Sequence, residues 1–248
     1  MPDIITQESD FIYTRDLDLP ANDIAYFNLF RGGARNVERN LVENGCAAFL
    51  SGTEQPTYGD GYARFRSQYA FLQLGNGDAV AKTIITASRC VDSATGTTRP
   101  MLVSAYSAST LAGGGMSIFP LDASKVQFAA MCNNGGASSF QTRQEENIDP
   151  NSWAIRVLRI FPPSAGNQGR MHVMNATTGG NSEYLDLPYP RALTASALRI
   201  GSGYSSSYQG YSDHVAAMVA DYAMSDSKVA DFVAFIKKFA RIDGITNI

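Results

Sequence analysis

The sequence predicts a mostly-β domain in which antiparallel strands stack as a sandwich, closed near the C-terminus by one amphipathic helix. Three observations carry this reading. Apolar segments with alternating periodicity recur along the chain, separated by turn dipeptides and not by helices. Charged residues make up 17% of the 248 residues, against about 25% in an average chain. Ser, Thr, Asn and Gly take their place, which suits short strands and turns better than the Lys- and Glu-rich surface of a helical bundle. Only one stretch, about 226–241, has helical spacing. The length fits one large sandwich or two small domains. We read residues 1–20 as a polar N-terminal arm and 21–248 as a single domain.

The strands follow in order. Ala25–Phe30 is stopped by Gly32-Gly33, and Ala47–Leu50 lies between Asn44-Gly45 and Ser51-Gly52. These are turn dipeptides because Asn and Gly tolerate positive φ. Tyr69–Leu74 stops at Gly75-Asn-Gly77, and Thr83–Ser88 is rich in β-branched residues that fit a pleated surface. Met101–Tyr106, Met116–Phe119 and the alternating Lys125–Met131 come next. Trp153–Phe161 also alternates, with Arg156 and Arg159 interrupting its apolar pattern, and Pro162-Pro163 ends it. Arg170–Asn175 places Met171, Val173 and Asn175 on one face and His172 and Met174 on the other. Ala197–Gly201 is short. His214–Ala223 is the last long strand, although its alanines also permit a helix. A parallel sheet would need a crossover helix between strands, and no helical segment is found between them.

The helix begins at Ser225, whose hydroxyl can accept from an orphan backbone N–H. Val229, Phe232, Val233, Ile236 and Ala240 form one apolar face. Asp226 and Asp231 toward the start, with Lys237, Lys238 and Arg241 toward the end, complement the helix dipole. Gly244 is the expected stop. Such a helix is expected to cover an end or edge of the sandwich.

Composition excludes several function classes. The net charge is -3 and no Lys/Arg run could track a phosphate backbone, so nucleic acid is not an expected partner. Cys46, Cys90 and Cys132 are odd in number and widely spaced, which predicts free thiols and neither a disulfide framework nor a zinc site. The N-terminus lacks a basic and an apolar signal region, and no stretch nears the roughly 20 apolar residues of a membrane span. The expectation is a protein made in the cytoplasm without a signal peptide. No cofactor is expected. Gly75-Asn-Gly77 and Gly201-Ser-Gly203 lack the third glycine and following helix of a nucleotide loop. No metal site is expected either, since Asp16-x-Asp18 is too short for calcium.

The segment Gly201–His214, GSGYSSSYQGYSDH, is the leading binding candidate. Tyr204, Tyr208 and Tyr211 offer amphipathic rings on which a sugar's C–H face can stack, and Asp213 offers an acceptor for its hydroxyls. The plainer alternative is a loop whose tyrosines pack locally. Asn133 and Asn134, beside Gly135-Gly136 and Ser138-Ser139, form a second candidate. Trp153, at the head of an apolar strand, reads as core. The carboxylates Glu145, Glu146, Asp149, Glu183 and Asp186 are the candidates for glycosidic acid/base work, with a solvated loop as the alternative. A Ser-His-Asp triad would need His172 or His214, and no Gly-x-Ser-x-Gly elbow accompanies them. Asp213 and His214 are neighbours that a strand points to opposite faces.

The order of these pieces resembles the laminin-G-like / concanavalin-A-like lectin-glucanase superfamily over roughly residues 20–248. The residues that carry it are Asn40–Gly45, the strands at Tyr69–Leu74, Thr83–Arg89 and Leu102–Tyr106, the Trp-led strand Trp153–Ile160 and Met171–Asn175. The closing section, Leu198–Ser202 through Gly210, Tyr211 and Asp213 to Ala220–Ser225, is the most similar part. The resemblance implies a two-sheet antiparallel jelly-roll sandwich and carbohydrate or protein binding more often than catalysis. The Glu-x-Asp-x-Glu strand of the glucanase branch is missing here. The function expected is therefore non-enzymatic: glycan binding or a structural role in a bacteriophage virion, as host-surface recognition or particle decoration. Its partners would be a glycan or other virion subunits, in a possible homo-oligomer. The alternative is a polysaccharide-cleaving enzyme on the same scaffold.

Overall fold

The computed structural model describes residues 18–92, 95–107, 114–135, 137–179 and 182–248. Most of the arm read at 1–20 therefore lies outside the described residues. Along the chain run β1 (Tyr26–Leu29), β2 (Ala48–Gly52), β3 (Thr57–Gly59), β4 (Tyr62–Arg66), β5 (Ala70–Leu74), β6 (Lys82–Cys90), β7 (Val103–Ser104) and β8 (Met116–Asp122). There follow β9 (Lys125–Asn134), β10 (Ala137–Glu146), β11 (Ala154–Phe161), β12 (Arg170–Asn175), β13 (Glu183–Asp186), β14 (Arg199–Ile200), β15 (Tyr211–Ala220) and helix α1 (Asp226–Ile242).

The two expected layers are halves of one sheet. A continuous ladder runs β10-β9-β8-β7-β14-β5-β4-β15-β6-β11-β12-β13, with β1, β2 and β3 pairing off it. The pairings among the described strands are antiparallel, as β15 with β6 and β11 with β12 show. A sheet of this many strands cannot stay open and flat, and it curls. Ile118, Val126 and Phe128 from one half share a single core cluster with Leu158, Ile160, Met171 and Val219 from the other.

A second core lies outside that fold. Phe232, Ile236 and Phe239 of α1 pack on Phe27, Ile85, Ile155, Val157 and Met218. Phe27 meets Phe232 and Phe235 edge-on at 5.7 and 5.8 Å. The helix thus covers a sheet face, not the end or edge expected from the sequence, because β1, β15, β6 and β11 each turn apolar side chains outward there. Its start is as expected: the Ser225 hydroxyl accepts from the Lys228 N–H at 3.3 Å. Gly244, just past its end, has φ +79°.

Four strands are additional to those expected. The hairpin β3–β4 and the edge strands β10 and β13 carry polar or charged residues at alternate or consecutive positions. Cys90 and Cys132 are buried, Cys46 is half-buried, and all three are free thiols. No helix among the described residues is long and apolar enough to cross a membrane.

Truncating Phe232, fully buried under Phe27, should cost about 3–5 kcal/mol. Urea titration of Phe232→Ala would show it as a lowered midpoint. A loss below about 1 kcal/mol would mean that α1 does not contribute to the cooperative core.

Candidate functional site

The segment 201–214 is clamped onto its surroundings. Gly201 has φ +76°, and an added Cβ would meet the Phe65 side chain at 2.3 Å; at Gly210 it would meet the Thr98 carbonyl at 1.6 Å. Each candidate tyrosine lies against an arginine. The Tyr204 hydroxyl donates to the Ala197 carbonyl at 2.8 Å, and the Arg199 guanidinium sits 3.6 Å from its ring centre. Tyr208 packs edge-on against Phe119 at 5.4 Å with Arg99 5.0 Å from its ring, and burial pushes its phenol pKa up. Tyr211 begins β15. Its N–H donates to Asp92 at 2.9 Å, and Arg66 lies 5.3 Å from its ring and 4.2 Å from that of Tyr69. All three rings are partly buried.

Asp213 has no exposed surface. Arg64 from β4 donates to both of its oxygens at 2.7 and 3.1 Å, and Arg89 from β6 donates to one at 2.9 Å. A carboxylate so enclosed works as an internal anion. Asn133 and Asn134 are exposed at the end of β9, where the Asn133 N–H donates to the Pro190 carbonyl at 2.8 Å. Trp153 is buried, as its strand position predicts, under the Arg89 guanidinium at 4.5 Å.

The candidate carboxylates are engaged one by one. Glu145, expected in a solvated loop, reaches the interior from β10, pairs with Arg156 at 2.9 Å and accepts from the Asn175 amide. Glu146 pairs with Lys125, Glu183 with Arg143 and Asp186 with Arg170. Asp149 accepts from Asn151 and Ser152 in a turn. The two histidines lie apart in the sheet. His214 sits inside against Phe30 and Phe65, opposite in face to Asp213. His172 lies on β12. Among the described residues no three His, Cys, Asp or Glu side chains group as a metal site.

A cleft lies elsewhere, at the end of β11. Pro162-Pro163 ends β11, since neither residue has an N–H for the ladder. Ser164 and Asn167 then exchange backbone hydrogen bonds at 3.1 and 2.9 Å. Gly169, with φ +120°, brings the chain back beside the Phe161 carbonyl. β12 and β13 pair Arg170 with Asp186 and His172 with Tyr184. The result is an open cleft of about 460 Å3 lined by Phe161, Pro162, Pro163, Ser164, Arg170 and Tyr184, with Asn167 at its rim.

Tyr184 is the platform of this cleft. It remains 47% exposed although His172 backs it at 4.3 Å between ring centres. Arg170 and Asn167 both donate to Asp186 beside it, at 2.6 and 3.1 Å, and hold the Asp186 pKa below the usual carboxylate range. Beneath the platform, buried Arg159 donates to His172 Nδ1 at 3.0 Å and to the Met224 carbonyl at 2.8 Å, and pairs with Asp226 at 2.6 Å. The platform is thereby fixed to the first turn of α1. An exposed aromatic face beside a carboxylate, an amide, a hydroxyl and a guanidinium can hold the C–H face and hydroxyls of a sugar. The sequence reading missed this cleft. Its only local signal is the Pro162-Pro163 stop.

The fold resembles that of toxin binding domains. The binding domain of botulinum neurotoxin DC, solved in complex with SialylT, superposes with a TM-score of 0.61 at 8% identity, covering 88% of this chain and 52% of that one. The same domain in complex with rat synaptotagmin II gives 0.60 at 8% identity, covering 87% and 52%. The binding domain of Paraclostridial Mosquitocidal Protein 1 gives 0.59 at 9% identity, covering 88% and 52%. This chain spans about half the length of each, and at such identity the likeness is one of fold alone. No protein-family model matches the sequence. No curated protein matches it.

Burial lowers the pKa of His172 to about 4, with Arg159 adding to the effect, and that of His214 to about 3. Both fall below the ordinary value near 6.5. The unfolded chain therefore binds protons that the folded chain does not. This contribution to stability is fully present above about pH 6.5 and is lost as pH falls toward the folded values. The melting temperature should drop by on the order of 5 °C between pH 7.5 and 5.0. A flat profile in that range would contradict two imidazoles held neutral by burial.

Proposed function

We propose that this chain is a non-enzymatic carbohydrate-binding module whose ligand stacks on Tyr184. The observation that carries this is the half-exposed Tyr184 ring, rigidly backed by His172 and flanked by Arg170, Asn167 and Asp186. The fold supports the reading, since it is shared with binding domains, one of them solved with SialylT. A glycosidase needs two carboxylates across a groove, about 5–10 Å apart. The pairing of Glu145, Glu146, Glu183 and Asp186 with arginine or lysine favours binding over hydrolysis.

The finer kinship to laminin-G-like and concanavalin-A-like lectins, with its separate two-sheet jelly roll, rests on the order of sequence segments. So does a place in a virus particle, and the toxin domains that share the fold add nothing to it. The glycan role stands without either.

A glycan array followed by calorimetry on the best ligand tests the assignment. Tyr184→Ala should weaken binding at least tenfold, about 1.4 kcal/mol. Tyr208→Ala and Tyr211→Ala should leave affinity within about twofold, because their rings serve Arg99 and Arg66. Loss of affinity in the second pair, with Tyr184→Ala unaffected, would move the site to the 201–214 segment. An array with no hits would remove the glycan reading.

A further inference from the structure

A row of charge crosses three adjacent strands on the helix-bearing side of the sheet. Arg64 on β4 and Arg89 on β6 are the direct cross-strand partners of Asp213 on β15. Arg64 reaches the carboxylate through Nε and Nη2. Arg89 does so through Nε, with Nη2 also 2.9 Å away. In both arginines Nη1 makes no hydrogen bond to a described residue, and each side chain is 31% exposed. The inner edges of two planar forks are thus fixed on one buried anion, and their outer corners face solvent.

Aromatic rings hold the forks in place. Arg89 lies 4.5 Å from the Trp153 ring centre and 5.8 Å from that of Tyr62; Arg64 lies 6.0 Å from Tyr62. Tyr62 in turn meets Trp153 edge-on at 5.6 Å and is partly exposed. Two guanidinium charges oppose one internal carboxylate. The other carboxylate close by, Asp92, is engaged by the Tyr211 N–H through one oxygen. An oxyanion approaching from solvent would find unpaired N–H groups on two guanidinia that are already ordered, so little side-chain entropy is left to lose on binding. The exposed part of Tyr62 lies beside them, within reach of whatever carries the anion.

We propose that Arg64, Arg89 and Tyr62 form a second binding site, selective for the carboxylate of an acidic sugar. The oxyanion accepts from the outer amino groups of the two arginines, and the sugar ring lies against the exposed part of Tyr62. The anion recognition is independent of the Tyr184 cleft. Only the choice of a sugar as its carrier rests on the glycan reading.

Titration at constant ionic strength, monitored by the side-chain N–H resonances of the arginines, tests this. Sodium glucuronate should shift the Arg64 and Arg89 signals saturably, and glucose, which lacks the carboxylate, should not. Arg89→Lys keeps the charge but loses the fork, and should weaken glucuronate binding at least tenfold. Tyr62→Ala removes the ring while Asp213 still anchors both forks, and should weaken it several-fold. Tyr184→Ala should change nothing, which separates this site from the cleft. Equal shifts with sodium chloride, or no saturable shift with glucuronate, would overturn the site. Sulfate binding as tightly as glucuronate and indifferent to Tyr62→Ala would overturn the sugar as its ligand. Loss of the response in Tyr184→Ala would overturn its independence from the cleft.

Discussion

Strand β15 must satisfy two cores at once, and the rest of the molecule follows from how it does so. It pairs with β6 along one side and with β4 and then β1 along the other. Ala217 and Val219 face the inner cluster, while Ala216, Met218 and Ala220 face the helix. A strict two-residue alternation cannot join this set to Ser212, Asp213 and His214 upstream. The register shift between His214 and Ala216 inserts one extra residue, Val215, and Val215 and Ala216 both turn toward the helix side. A slip of one residue would exchange the faces of everything after it. The small alanines let α1 approach the sheet closely. They are also what makes this segment look partly helical in sequence.

The same constraint explains the charges inside the fold. Asp213 falls on a central strand with no route to solvent, so it needs partners on both neighbours, and Arg64 and Arg89 stand directly opposite it. Removing one partner would leave an undercompensated buried charge, which is more costly than the net worth of an ion pair. Lys82, fully buried, is held in the same manner by Asp221 and the Gly77 carbonyl. Arg156 lies within the inner core, where Glu145 from edge strand β10 and Asn175 from β12 close around it. With Arg143–Glu183, this network joins the two free edges of the ladder through side chains, where no backbone pairing links the described strands. Strand β13, at one of those edges, is therefore a firm support for Tyr184 and not a loose flap.

The legible parts of the fold were those whose cause is local. Alternating apolar residues located β9, β11 and β12, β-branched residues located β6, and Ser225 with its following apolar stripe located α1. The strands that escaped, β10 and β13 above all, are edges with charged or polar sequences such as ASSFQTRQEE. Such residues discourage edge-to-edge association, and they also erase the periodic signal. The hairpin strand YARFR does alternate, with Ala63 and Phe65 buried and Tyr62, Arg64 and Arg66 turned outward. Its arginines conceal a position whose outer face is half-covered. The cleft was not legible for a different reason. Phe161, Arg170 and Tyr184 meet only because two successive hairpins set β11, β12 and β13 side by side. No short window of sequence contains that adjacency.

Composition alone also misplaces the binding surface. Tyrosine among serine and glycine signals adaptable recognition only if the rings are free. In segment 201–214 they are occupied: Arg199 stacks on Tyr204, Arg99 on Tyr208 and Arg66 beside Tyr211. These pairs bury guanidinium surface and lock the segment to β14, the loop before β7 and the β4–β5 region, whose Gln68 amide donates to the Gly203 carbonyl at 2.9 Å. Tyr184 has an arginine near it as well, Arg170 at 5.6 Å, yet its ring remains 47% exposed, whereas the three loop tyrosines are partly buried. The worth of an aromatic ring as a ligand platform depends on what already covers its face. By that criterion the tyrosine on a plain edge strand outranks three in a loop that looks built for recognition.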